Sequence, residues 1–240
     1  MGLLDGKVAL ITGAAGALGS AAARRFGEEG ATLVLVDNRP RRLAETCGDL
    51  CETYDTTLIG NVDVTIPRSV GKLVEMVLKD KERIDVLLNV VGGYEGPGPV
   101  RDTSPEVFDQ MMALNAKSVF LMSGAVSPHM IEQGSGKIVN IAASAGLKAR
   151  RDNSAYAASK AAVLRLTESL AADLKDHGVN VNAVLPSTID TPANREMMAG
   201  ADFEKWVTPD ALADVLVFLA SDMARAIHGA AIPVYGRVKV

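Results

Sequence analysis

Tyr156 and Lys160 lie four residues apart in the stretch Asn153-Ser154-Ala155-Tyr156-Ala157-Ala158-Ser159-Lys160. On a helix that spacing puts both side chains on one face. A phenol ordinarily holds its proton up to a pH of about 10. A fixed ammonium beside it favours the ionised form, which makes the phenol a usable proton donor and acceptor near neutral pH. The pair alone also fits a decorated helix surface, so the other end of the chain has to discriminate.

There Val8-Ala9-Leu10-Ile11 forms an apolar run suited to a buried parallel strand, and Thr12-Gly13-Ala14-Ala15-Gly16-Ala17-Leu18-Gly19 follows at once. A helix is predicted from Ser20 to about Glu29. A strand, a glycine turn and a helix in that order aim backbone N–H groups and the positive end of a helix dipole at one point, where a pyrophosphate can sit. A second apolar run, Thr32-Leu33-Val34-Leu35-Val36, ends at Asp37. Its carboxylate falls about 20 residues past the glycines, the separation that adenosine-ribose recognition requires. A carboxylate there accepts hydrogen bonds from ribose hydroxyls and repels a 2′-phosphate, which favours NAD(H) over NADP(H). Arg39, Arg41 and Arg42 just downstream pull the other way.

With these motifs the chain resembles the short-chain dehydrogenase/reductases over about residues 6–235. The resemblance implies that Gly13, Gly16, Leu18 and Gly19 hold the dinucleotide, and that Asp63 and Val64 meet its adenine. Asn89-Val90-Val91-Gly92 stands where the family usually has Asn-Asn-Ala-Gly, keeping the ends and assigning Asn89 to the cofactor site. Asn115 matches the family's catalytic Asn, which fixes a water of the proton relay. Tyr156 and Lys160 match its Tyr and Lys, and both also contact the cofactor. Pro186, Ile189 and Thr191 fall in the segment that meets the nicotinamide carboxamide.

The departures are also informative. The family's catalytic Ser lies three residues before a Gly at the end of the fifth strand; Gly146 puts Ala143 there, with Ser144 one residue late. Along an extended chain a shift of one residue turns a side chain to the opposite face, so Ser144 substitutes only if the backbone bends. Loss of one donor to a developing oxyanion typically costs on the order of 10²–10³ in rate. Dihydropteridine reductases, in the same superfamily, lack this Ser. Gly16-Ala17-Leu18-Gly19-Ser20, Val91-Gly92-Gly93-Tyr94 and Ala183-Val184-Leu185-Pro186 with the residues up to Arg195 resemble theirs. Three functions stay open: an NAD(P)(H)-dependent oxidoreductase of alcohols and carbonyls with Tyr156 as general acid/base, an NADH-dependent pterin reductase, and a catalytically silent NAD-binding or scaffold protein.

At 240 residues with 48% hydrophobic residues, the chain suits one α/β domain over residues 1–240. The net charge of −4 disfavours nucleic acid as a partner, and no apolar run of membrane-spanning length or basic-then-apolar leader is present in the sequence. A cytoplasmic protein acting on a small molecule is expected, as a dimer or tetramer by the family resemblance. Cys47 and Cys51 read as reduced packing residues on one helix face, and without nearby histidines they make no metal site.

Strands are expected near residues 7–12, 32–36, 57–62, 84–90, 137–142, 179–185 and 230–234, with helices between. That alternation predicts a doubly wound, seven-stranded parallel sheet flanked by helices, a Rossmann domain by the resemblance. The resemblance implies that residues 191–207 form a mobile lid over the crevice, with Met197, Met198, Phe203 and Trp206 contacting substrate or packing the lid itself.

Overall fold

The computed structural model describes residues 2–95 and 98–239, so the first and last residues of the expected domain lie outside it. Seven parallel strands form one sheet in the order β3-β2-β1-β4-β5-β6-β7. They are β1 (Val8–Thr12), β2 (Thr32–Val36), β3 (Thr56–Ile59), β4 (Val86–Asn89), β5 (Gly136–Ile141), β6 (Val179–Pro186) and β7 (Ala231–Val234). The order reverses between β1 and β4, and ligands of such sheets bind at the carboxyl ends beside that point.

Continuous apolar runs arise because both faces of the sheet are covered. In β1, Ala9 and Ile11 enter the core on one face and Val8 and Leu10 the core on the other; Leu33 and Leu35 divide from Val34 and Val36 in the same way. The first face is covered by α1 (Ala17–Glu28) and α9 (Pro209–Ala220). The second is covered by α4 (Pro67–Lys81), α6 (Ser118–Gln133) and α7 (Ser154–Leu174). Pro40, Pro67, Pro105, Pro192 and Pro209 open α2 (Pro40–Cys47), α4, α5 (Pro105–Met111), α8 (Pro192–Met197) and α9. Proline is pre-set for a helix start and lacks an N–H that would go unpaired there.

Three expectations shift. The first helix starts at Ala17, not Ser20, because Gly16 already serves as its N-cap. The third strand ends at Ile59 rather than residue 62. Cys47 and Cys51 lie on separate helices, since α2 stops at Cys47 and α3 (Leu50–Thr53) begins anew. Cys47 is buried and Cys51 exposed, so only the first packs.

Candidate active site

A crevice of about 1230 Å³ opens at the carboxyl ends of the strands. Its floor is the turn between β1 and α1. No side chain caps α1, no acidic residue occupies its first turn, and Ser20 is the first N–H of this turn to find a backbone acceptor within the helix, the Gly16 carbonyl at 2.9 Å. The N–H groups of Ala17, Leu18 and Gly19 are therefore left for a ligand. At Gly19 a Cβ would sit 2.2 Å from the Gly13 carbonyl oxygen, so only glycine lets the turn close this tightly. Gly13, Gly16, Leu18 and Gly19 all line the crevice, and this cradle fits a dinucleotide pyrophosphate.

Asp37, 3% exposed, lines the same crevice at the end of β2. Its Oδ2 accepts from the Ala15 N–H and Arg39 Nη2, and its Oδ1 from the Arg39 N–H and Nε. Burial pushes the carboxyl up, but the Arg39 groups and the Ala15 N–H outweigh it and hold Asp37 below its usual range. The pull from Arg39 that the sequence suggested is thus a direct ion pair at 2.9 Å. Asp63 is turned in on itself, its Oδ1 accepting from the Thr65 N–H and hydroxyl at 2.8 and 2.7 Å, and Asp63 and Val64 both line the crevice.

Asn89 does not. Its amide donates to Asn140 Oδ1 at 2.9 Å and Ser123 Oγ at 3.3 Å, and Asn140 passes the chain on to Thr167. The Asn89 side chain therefore braces β4 against β5 and the helices behind them. Val90, Val91, Gly92, Gly93 and Tyr94, which follow it, carry the crevice wall. Thr12, unnoticed in the sequence, holds that wall by accepting from the Val90 and Val91 N–H groups at 3.1 and 3.4 Å.

Tyr156 and Lys160 both line the crevice from α7, with the Lys160 Nζ 5.9 Å from the centre of the phenol ring. The ammonium donates to the Ile141 carbonyl at 2.8 Å. Burial lowers Lys160 to about 8. Desolvation, with Tyr94 adding to it, pushes Tyr156 up to about 12. In this arrangement desolvation outweighs any lowering of the phenol by Lys160. Tyr94 packs edge-on against Tyr156, ring centres 5.1 Å apart.

Asn115 is fully buried and lies in a π-helical turn (Met112–Lys117) between α5 and α6. Such turns often re-aim a functional side chain. Its Oδ1 accepts from the Gly93 N–H at 3.0 Å, and its Nδ2 donates to the Gly93 carbonyl and the Ser159 hydroxyl, each at 3.1 Å. Both amide hydrogens are thereby used. Ser159 in turn donates to the Tyr156 carbonyl at 2.7 Å. The Asn115 side chain thus ties the wall beside Gly93 to α7. Ser159, adjacent to Lys160 in sequence, is the link that motif reading missed.

Ala143, 6% exposed, puts a methyl on the crevice wall. Its backbone is extended, and the chain then bends in a 3-10 turn, Ser144–Gly146. The bend that Ser144 needed is present, and Ser144 lines the crevice too. Across the opening, Pro186, Ile189, Thr191, Met197 and Met198 contribute to the lining. Phe203 and Trp206 do not: their rings pack on each other at 4.8 Å, and Arg195 lies over Phe203. Asn153, at the N-cap of α7, also lines the crevice, with a buried Oδ1 that has no partner among the described residues.

The family model described as short chain dehydrogenase matches residues 7–202. The chain belongs to that family. It is 36% identical over 243 residues to the 2-(R)-hydroxypropyl-CoM dehydrogenase of Xanthobacter autotrophicus, covering 96% of this chain and 97% of that one. An NAD+-bound xylitol dehydrogenase superposes with a TM-score of 0.91 at 29% identity, covering 97% of this chain and 99% of the other. A gluconate 5-dehydrogenase from Burkholderia cenocepacia, in complex with NADP and tartrate, superposes at 0.90 with 30% identity, covering 97% and 95%. This short-chain dehydrogenase is an NAD(P)-dependent oxidoreductase of small-molecule alcohols and carbonyls. The relatives favour that chemistry over the pterin-reducing and catalytically silent alternatives. Among the described residues no group of side chains suits a metal ion, and no helix is long and apolar enough to cross a membrane.

Proposed function

We propose that the enzyme interconverts a secondary alcohol and a ketone on a small polar molecule, using NAD(H), with Tyr156 carrying the proton. The observation that carries this reading is the convergence of Tyr156, Lys160 and the glycine cradle on one crevice. Bound dinucleotide would supply or accept the hydride. Tyr156 gives its proton to the substrate oxygen during reduction and takes it back during oxidation. Lys160, held by the Ile141 carbonyl, keeps a positive charge beside the phenol and favours its ionised form as substrate closes the site. Asn115 acts through Gly93 and Ser159, fixing the wall and the helix turn that present Tyr156.

NAD(H) is preferred because Asp37 stays ionised at the end of β2 and repels a 2′-phosphate. With dinucleotide bound, ribose hydroxyls would take the place of the Arg39 guanidinium on the carboxylate. Asp63 and Val64 would hold the adenine, and Pro186, Ile189 and Thr191 the carboxamide. The polar lining from Asn153, Thr188 and Asn194 suits a hydroxylated substrate. A homo-oligomer accords with exposed Phe108, Phe120 and Ile131 on the α5 and α6 surfaces.

The test is turnover of NADH and NADPH with hydroxyalkyl thioethers, polyols, hydroxy acids and their ketones. Wild type should prefer NADH in kcat/KM. Tyr156→Phe should lose about 10²–10⁴ in kcat/KM while keeping its affinity for NADH. Full turnover by that variant would end the proposal.

A further inference from the structure

A second cavity, of about 350 Å³, lies at the opposite ends of the strands, where β1, β4, β5 and β6 begin. Lys7, Lys137, Lys175, Arg225 and His228 line it, together with Asp85 and Asp222. Asp85 is answered from outside the cavity by Arg83 and also accepts from the Val8 N–H. Asp222, its side chain 78% exposed, stands 4.0 Å from the Lys137 ammonium. Among the described residues Lys7, Lys175 and Arg225 have no carboxylate partner within 4.0 Å. Four cations thus share the one Asp222 carboxylate, which reaches only Lys137, in a chain whose net charge is −4.

Lys137 makes the arrangement more than a surface cluster. It is 9% exposed, and its ammonium makes one hydrogen bond, to Asn180 Oδ1 at 2.7 Å. Asn180 is itself fixed by the Ile227 and Arg225 carbonyls at 2.9 and 3.0 Å. Among the described residues two ammonium hydrogens are left without a hydrogen-bond partner, with only the exposed Asp222 carboxylate 4.0 Å away, in a place where a poorly paired charge is costly. Burial, aided by Lys7 and Arg225 against the pull of Asp222, holds Lys137 below its usual range, which an added anion would reverse.

We propose that this cavity is an anion site that takes a phosphate group, either free phosphate or a small phosphomonoester, separate from the dinucleotide crevice. Lys137 donates to the anion from the cavity floor, and Lys7, Lys175 and Arg225 close round it from the rim. The volume accommodates a phosphate with several waters, at about 30 Å³ per water.

The full chain is titrated calorimetrically with inorganic phosphate and with glycerol phosphate at constant ionic strength, with chloride as control. Saturable binding of one phosphate, absent with chloride, is expected. The exposed-rim variants Lys175→Gln and Arg225→Gln should each weaken it about fivefold, and Lys137→Met should abolish it. Tighter binding of either probe supports the site and identifies the source of the phosphate. No saturable binding, or an affinity unchanged in both rim variants, would overturn the proposal; the latter would place the anion in the glycine cradle.

Discussion

Lys160→Met separates the cost of burying the active-site ammonium from its role in turnover. Lys160 is 4% exposed, and burial lowers it from the ordinary 10.5 to about 8. At about 1.4 kcal/mol per tenfold, that drop means that charged Lys160 costs the fold about 3 kcal/mol at neutral pH. Between these two values the unfolded chain binds more protons than the folded one, so stability rises with pH across the window and is lost as pH falls through it. Integrated from pH 8 to pH 10, the wild type should gain about 2 kcal/mol relative to the Met variant. Tyr156, pushed up to about 12, titrates above this range in the folded protein and is present in both proteins. Urea unfolding at constant ionic strength reads the difference, with the fluorescence of buried Trp206, the only tryptophan, as reporter. The variant should also lose turnover. Wild-type and variant stabilities that run parallel from pH 8 to pH 10 would refute the account of Lys160 as a buried charge held by one carbonyl.

Ala143→Ser restores a hydroxyl to the crevice wall and should raise kcat/KM for ketone reduction by about tenfold or more; an unchanged rate would mean that the chemistry uses no hydroxyl at this position. In Gly92→Ala the new Cβ would stand 2.8 Å from Asn115 Oδ1 and 3.2 Å from Lys160 Nζ. Its kcat should fall by at least about tenfold with the far-ultraviolet circular dichroism retained, and normal turnover would show that the Asn115 brace is dispensable. Arg39→Ala frees the Asp37 carboxylate, so the ratio of kcat/KM for NADH to that for NADPH should rise about fivefold or more. A fall in that ratio would assign Arg39 to ribose binding.

The sheet was legible because a strand covered on both faces must be largely apolar, as the runs Val8–Ile11, Leu33–Val36 and Val86–Leu88 in β1, β2 and β4 are. The glycine cradle was legible for a related reason, since Gly19 is a position that no side chain can occupy. Asn89 shows where motif reading stopped and physical reading could have continued. Side chains alternate along a strand, so Asn89 shares a face with Leu87, whose side chain enters the core beneath α4 and α6. That periodicity already directs the amide into the layer where Ser123 and Asn140 lie, away from the crevice.

The charges of the site obey a different logic. A spacing of four residues brings Tyr156 and Lys160 to one helix face, and the structure keeps them there. It does not fix what the ammonium is paired with. The Ile141 carbonyl, 19 residues away on β5, takes that hydrogen bond, and the packing of α7 on the sheet removes the water that would stabilise either ion. Proximity is a property of the local sequence, whereas the protonation states follow from desolvation and from a backbone acceptor supplied by a distant strand. Tyr156 at about 12 and Lys160 at about 8 are therefore displaced towards their neutral forms by the same burial. A ligand that added polar groups beside them would act on both displacements together, which would couple substrate binding to the readiness of the phenol to move a proton.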